Sequence, residues 1–254
     1  MWLDPDKMSE HAYHYCLNIK DRPEIRKLIT DSFWAYRYCK KVKNRPEIRK
    51  FITDSYWAYY YCLDIKDDSG VRKNINNSVA AYGYCIGIKD RPEIRKYITR
   101  SSWACRYCQN IKERPEVRKN INESEDAYDY CRYNQDRPEV RKHITDSQWA
   151  YYYCQFVKDR PEIKKNITNS RWSYNYCKWI KDDPDVRKNI IDFRWIYNYC
   201  RYIKDDPDMR KKLTKSYWAY KYCKFIKDRP EVRKNITDPY WDRNYHGYLK
   251  DTED

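Results

Sequence analysis

A cysteine recurs every 23 residues along this chain, from Cys16 and Cys39 to Cys223, each directly after a tyrosine. A column of thiols could supply nucleophiles, metal ligands or redox pairs. Each use needs company. A thiolate needs partial exposure and a positive neighbour, and zinc needs several ligands converging on one point. The histidines that could help, His11, His14, His143 and His246, are scattered. Cys105 forms Cys105-Arg106-Tyr107-Cys108, a lone C-x2-C with no second Cys or His pair, which is a weak zinc signal. No Ser-His-Asp set or carboxylate pair stands out. An active site gathers unique residues, and these are periodic. The expectation is no catalytic residue, no metal and no cofactor, with cysteines acting as small buried hydrophobes.

Around the thiols the chain repeats one pattern, S-x-W-A-Y-x-Y-C-x-x-I-K-D-R-P-E-I-R-K-x-I-T-D, here numbered positions 1 to 23. Ten repeats begin at Ser9, Ser32, Ser55, Ser78, Ser101, Ser124, Ser147, Ser170, Phe193 and Ser216, without insertion or deletion, and a truncated one begins at Pro239. So strict a frame predicts a solenoid. The expected organisation is an N-terminal cap over 1–8, one repeat domain over 9–238 and a capping unit over 239–254. That last unit should be polar, because Asp242 and His246 replace the core Ala and Cys.

Positions 4, 8 and 11, such as Ala58, Cys62 and Ile65, have helical spacing, so a first helix should span about positions 2 to 12. Asp21-Arg22-Pro23-Glu24 has the spacing of a capping box, with Asp as cap and Pro in the first turn. It predicts a second helix of about seven residues carrying Ile25 and Ile29, too short to survive without packing. Acids at positions 13, 16 and 23 are explained by capping and by neighbouring Lys or Arg. On a helical wheel the Trp and both Tyr flank the apolar stripe, where they would fill the joints between repeats rather than form an exposed stacking platform. The fold class is therefore all-α, a right-handed α-solenoid of ten two-helix repeats plus the cap. Helices about 8–10 Å apart would make it roughly 80–100 Å long.

Composition narrows the function. The net charge is +15, and only four Gly occur, too few for nucleotide-cradling loops. The first residues lack the basic end and apolar run of a signal peptide, and no stretch could span a bilayer. Eleven Cys without a secretion signal suit a cytoplasmic setting. No membrane or small-molecule partner is indicated.

The stretch DDPDVRKNIIDFRWIYNYC, residues 182–200, resembles the leucine-rich-variant repeat and, more broadly, HEAT-like repeats. The chain is also similar to Trp-Ala-Tyr and Arg-Pro-Glu repeat proteins of tailed phages and giant viruses. It departs from leucine-rich variants in having Tyr and Cys for Leu, and it lacks an iron-sulfur Cys cluster. The resemblance implies a solenoid and a phage- or virus-encoded host-targeting interaction protein, placed in the cytoplasm of a cell or an infected host.

Specificity should lie where repeats differ, at positions 2, 6, 9 and 10. In the C-terminal repeats these hold Arg171, Lys178, Trp179, Arg194, Arg201, Tyr202, Tyr217, Lys221, Lys224 and Phe225. Basic and aromatic residues alternate there, as suits an acidic protein surface or phosphates and bases. The N-terminal repeats show Leu17, Leu63, Val79 and Ile86, which suits a drier protein contact. The Arg-Lys ladder at positions 18 and 19, such as Arg26-Lys27, ranks second as a phosphate surface. Three repeats break pattern. The third has Asp68-Ser69-Gly70 where Arg-Pro-Glu is usual, so its second helix should start less firmly. The fourth has Ala80 for Trp and carries Gly83 and Gly87, leaving room for a shallow recess between Tyr60 and Arg106. The sixth has Asp126, Asn134 and Gln135 for Trp, Ile and Lys. A protein-binding scaffold is the first expectation, with nucleic-acid binding through the C-terminal face as the alternative.

Overall fold

The computed structural model describes residues 5–253; residues 1–4 of the expected N-terminal cap and residue 254 of the C-terminal one lie outside them. The described residues form twenty-one helices and no strand. Ten-residue helices such as Ser32–Lys41 and Ser55–Asp64 alternate with four-residue helices such as Pro46–Arg49. By packing, the chain divides into two compact units, Met1–Gln135 and Asp136–Asp254. Within each, long helices pack on the long helices of adjacent repeats and on the short helix that follows, as Ser32–Lys41 does on Pro46–Arg49. The result is an all-α solenoid.

The long helix covers positions 1 to 10, ahead of the expected span. Its cap is position 23 of the preceding repeat: the Asp31 carboxylate accepts from the Trp34 backbone N–H, and Asp54, Asp146 and Asp192 act alike. The Ser at position 1 has another duty. Ser9 Oγ accepts from the N–H groups of Thr30 and Asp31 and donates to the Leu28 carbonyl, tying one long helix to the loop that starts the next. Ser55, Ser78, Ser147 and Ser170 repeat that stitch.

The inward stripe is positions 4, 5, 7 and 8 rather than 4, 8 and 11. Ala35, Tyr36, Tyr38 and Cys39 are buried, whereas the position-11 residue ends the helix half-buried, and Ile19 is 71% exposed. Joints between repeats are aromatic, as the wheel predicts. The ring at position 5 meets the Trp at position 3 of the next repeat, for example Tyr36–Trp57 at 5.5 Å and Tyr151–Trp172 at 5.4 Å, both stacked. Each such pair contributes about 0.5–1.5 kcal/mol beyond area burial.

The expected capping box at positions 13 to 16 does not form. Arg22, not Asp21, is the cap residue of the short helix Pro23–Arg26, and its side chain makes no capping bond. The helix has four residues, not about seven. Asp21 is used across the joint instead. Its carboxylate accepts from the Tyr38 hydroxyl at 2.8 Å, from Arg45 at 2.9 Å and from Arg26 at 3.1 Å. Asp67 does the same with Tyr84, Arg72 and Arg91, at 2.9, 2.6 and 3.0 Å. In the second unit Asp205 receives Tyr222, Arg210 and Arg229. From the second repeat on, the Tyr at position 7 is fully buried, so its hydroxyl needs a partner. The preceding repeat supplies one to Tyr38, Tyr84 and Tyr222, while the Tyr107 and Tyr245 hydroxyls have no hydrogen-bond partner among the described residues. Where repeat two carries Asn44, its side-chain carbonyl takes the Tyr61 hydroxyl at 3.0 Å.

The third repeat starts its short helix as firmly as the others. Asp68 accepts from the Gly70 and Val71 N–H groups, so Ser69–Arg72 keeps the same length. The terminal helix, Pro239–Glu253, exposes Asp242 and His246 while Tyr245 stays buried and Trp241 packs on Tyr220 at 5.3 Å.

Burial alone would raise the Asp67 carboxyl, but hydrogen bonds from Arg72, Tyr84 and Arg91 outweigh it and hold the group below the usual range. The Tyr84 phenol is pushed up to about 12 by burial and by donating to Asp67. A carboxyl depressed by folding stabilises the fold above its unfolded pKa, about 3.9, and loses that contribution as pH falls through the folded value. Asp67→Ala should therefore destabilise by about 1–3 kcal/mol at neutral pH. Urea melts followed by circular dichroism should show the difference shrinking below about pH 4. A difference unchanged at low pH would mean that the carboxylate charge is not what holds the joint.

Candidate partner-binding face

With positions 4, 5, 7 and 8 turned inward, each long helix presents positions 2, 6, 9 and 10 outward. In the second compact unit these positions in repeats seven to ten hold no acidic residue. Arg171 and Arg194 are exposed and lie over Trp172 at 5.0 Å and Trp195 at 5.3 Å. Lys221 is half-buried between Tyr197, Tyr217 and Trp218, at 5.3–5.4 Å.

Positions 9 and 10 form an ordered series. Trp179, Tyr202 and Phe225 are exposed by 63%, 56% and 50%. Lys178 lies over its own neighbour Trp179 at 4.7 Å and over Tyr202 of the next repeat at 5.2 Å. Arg201 lies over Tyr202 at 5.2 Å and over Phe225 at 5.9 Å. Lys224 continues to Phe225 at 5.5 Å and Tyr248 at 5.2 Å. Cation and ring alternate from Trp179 to Tyr248. Tyr248 belongs to the same face, as does Phe156, which is 52% exposed. Sequence reasoning left both out, although each occupies position 10 and the 23-residue frame alone would have found them.

The same geometry in the first unit carries different charge. There Lys40, at position 9, meets Asp64, at position 10 of the next repeat, at 2.6 Å. That pair is neutral. In the second unit a ring stands where Asp64 would be, and among the described residues no carboxylate comes within ion-pair distance of Lys178, Arg201 or Lys224. A ring attracts a cation without cancelling its charge. The face is positive, and its long side chains are held in place.

Tyr60, Gly83 and Arg106 occupy position 6 of successive repeats. The Tyr59 ring lies against Gly83, where a Cβ would meet it at 3.0 Å, and the Tyr59 hydroxyl lies near Gly87. The space beside Gly83 is thus taken up by Tyr59. Tyr60 packs edge-on to Tyr56, and Arg106 lies over Trp103. Leu17, Leu63, Val79 and Ile86 are exposed on the first unit.

All eleven cysteines are buried and free. Burial pushes the Cys39 and Cys62 thiols up to about 11 and those of Cys85 and Cys154 to about 12, far from a reactive thiolate. Among the described residues no group of three His, Cys, Asp or Glu could hold a metal, and no helix is long and apolar enough to cross a membrane. The chain matches no known family model, no curated protein and no solved structure.

Face and joint should respond differently to truncation. Trp179→Ala should leave the melting transition within about 0.5 kcal/mol of the parent, as at other exposed sites. Trp172→Ala, which removes a ring stacked on Tyr151, should cost on the order of 2–3 kcal/mol, below the range of fully buried Trp. Equal costs in thermal melts would mean that Trp172 is no more buried at the joint than Trp179 is on the face.

Proposed function

We propose that this chain is a non-catalytic scaffold that binds a protein partner bearing an acidic surface, through the long-helix face of its second compact unit. The state of the rings supports this choice of partner. Tyr202 has Lys178 and Arg201 against it, and Phe225 has Arg201 and Lys224. Bases need free ring faces to stack, and here the rings are engaged by cations. What the face offers outward is a row of fixed positive groups between apolar rings, the residue types that dominate protein interfaces. Carboxylates of an acidic partner would pair with the row while the ring edges are covered. The absence of acids at these positions also favours such a partner over a basic one. The buried, free thiols fit a reducing, cytosol-like compartment. A host-targeting role for a phage- or virus-encoded chain is compatible with the same face.

The test is Lys178→Glu, Arg201→Glu and Lys224→Glu together. Lys178 and Arg201 are exposed and Lys224 is half-buried, so circular dichroism should match the parent. In cross-linking capture from source cells, acidic proteins should be recovered with the parent, persist after nuclease treatment and disappear with the triple variant. Recovery that vanishes with nuclease, or that the variant leaves unchanged, would sink the protein-binding reading of this face.

A further inference from the structure

The ladder of Arg and Lys at positions 18 and 19 is split by the fold into two unlike columns. The position-18 side chains turn inward. Arg141 pairs with Asp136 at 2.7 Å and with Glu162 of the next repeat at 3.3 Å, and Arg210 pairs with Asp205 and Glu231. Where the next repeat carries Asp at position 14, that residue takes over, as in Lys164–Asp183 at 2.6 Å. Glu162, Glu231 and Asp183 are thereby engaged by the preceding repeat.

The position-19 lysines are left over. Lys142, Lys165, Lys188, Lys211 and Lys234 are all exposed, one on each successive short-helix turn of the second unit. Two of them meet acids, and only loosely: Lys188–Asp185 at 3.5 Å and Lys211–Asp208 at 3.6 Å, with both ends about two-thirds or more exposed. Between consecutive short helices runs a furrow. One, of about 470 Å³, has Lys142 and Thr145 on one side and Lys165 and Asn166 on the other. The next, of about 500 Å³, has Lys165 and Thr168 facing Lys188 and Asn189. Two exposed lysines, a hydroxyl and an amide thus line each furrow beside one carboxylate, Glu162 paired with Arg141 in the first and Asp185 loosely paired with Lys188 in the second. Each lining keeps a net positive charge, and adjacent furrows share a lysine.

Variation among the repeats points the same way. Position 19 is Lys in all ten repeats, from Lys27 to Lys234. Position 20, its immediate neighbour, is Leu28, Phe51, Asn74, Tyr97 or His143 in different repeats. Copying from one ancestral unit would have kept both alike, so positions here have been free to change. Position 19 is exposed in every repeat and has not. Its place at the end of a short helix favours a cation by only about 0.3–1 kcal/mol, and Arg would serve as well.

We propose that this lysine row is a second surface, separate from the long-helix face, and that it binds the phosphate backbone of a nucleic acid without regard to sequence. Each furrow seats one phosphate oxygen cluster between two lysines. A row of single charges at the repeat spacing suits a linear polyanion. It does not suit a lipid surface, because position 20 here is Asn166, Asn189, Lys212 or Asn235 and offers no apolar side chain to insert.

The experiment is fluorescence anisotropy with a labelled DNA duplex of about 30 base pairs, titrated at several salt concentrations. Lys142→Gln, Lys165→Gln, Lys188→Gln and Lys211→Gln together should weaken binding at least about tenfold at low salt. They should also lower the log–log salt slope by about 0.9 for each phosphate that is no longer neutralised. Lys178→Gln, Arg201→Gln and Lys224→Gln together, on the other face, should leave the slope unchanged. Lysine acetylation of the parent protein gives a check that needs no variant: bound duplex should protect Lys165 and Lys188 and not Lys178. No binding by the parent, equal loss in both variants, or uniform protection would overturn the proposal. So would lysine-dependent binding to phosphatidylserine–phosphatidylcholine vesicles by a protein that ignores the duplex. Failure of the protein-binding reading would leave this result untouched, because the two surfaces share no residue.

Discussion

The fold depends on one linkage made at successive joints: a buried phenol donating to a carboxylate of the preceding repeat, with guanidinium groups on either side of that carboxylate. Tyr38 with Asp21, Arg26 and Arg45 is one instance. A repeat of 23 residues cannot bury enough apolar surface to stand alone. This chain uses tyrosine where other solenoids use aliphatic residues, and a buried tyrosine brings a hydroxyl that must be satisfied. The carboxylate satisfies it only if the neighbouring repeat sits at one height and one angle. The polar network therefore sets register, while Tyr–Trp stacking and the Ala, Cys and Ile core supply burial.

The same linkage decides the surface. Asp at position 13, Arg at 14, Glu at 16 and Arg at 18 cancel one another within and between repeats. The charge that survives is mostly lysine at positions 12 and 19, with the position-9 cations of the second unit. The excess of +15 is thus organised rather than diffuse. On the short-helix side it is regular, as suits a ligand whose charge is regular. On the long-helix side it varies from repeat to repeat, as suits a partner with a particular shape.

Pattern-breaking residues are compensated locally. Asp68 replaces a missing proline with a side-chain cap, Asp183 takes over as the partner of Lys164, and the Tyr59 ring fills the space above Gly83. These exchanges keep the repeat length constant, because a shift of one residue would break every phenol–carboxylate bond downstream of it within the unit. The division of the chain after Gln135 falls in the sixth repeat, directly behind Asn134 and Gln135, which replace Ile and Lys.

Residue period and polarity are local properties, and the repeat frame, the all-α class, the burial of cysteine and the outward positions of the long helix follow from them alone. The place of Trp and Tyr at the joints follows too, because large rings flanking a narrow stripe have nowhere else to go. Three features emerge only once the repeats are packed together. Asp21 stands at capping-box spacing from Glu24, yet it serves Tyr38, seventeen residues later. Arg26 and Lys27 are adjacent and chemically alike in sequence, but one faces the joint and the other water. Lys40 and Lys178 share a position, and only the residue packed against each, Asp64 or Tyr202, decides whether its charge is cancelled. In each case the deciding group comes from the next repeat, and neighbours across a joint are set by packing, not by distance along the chain.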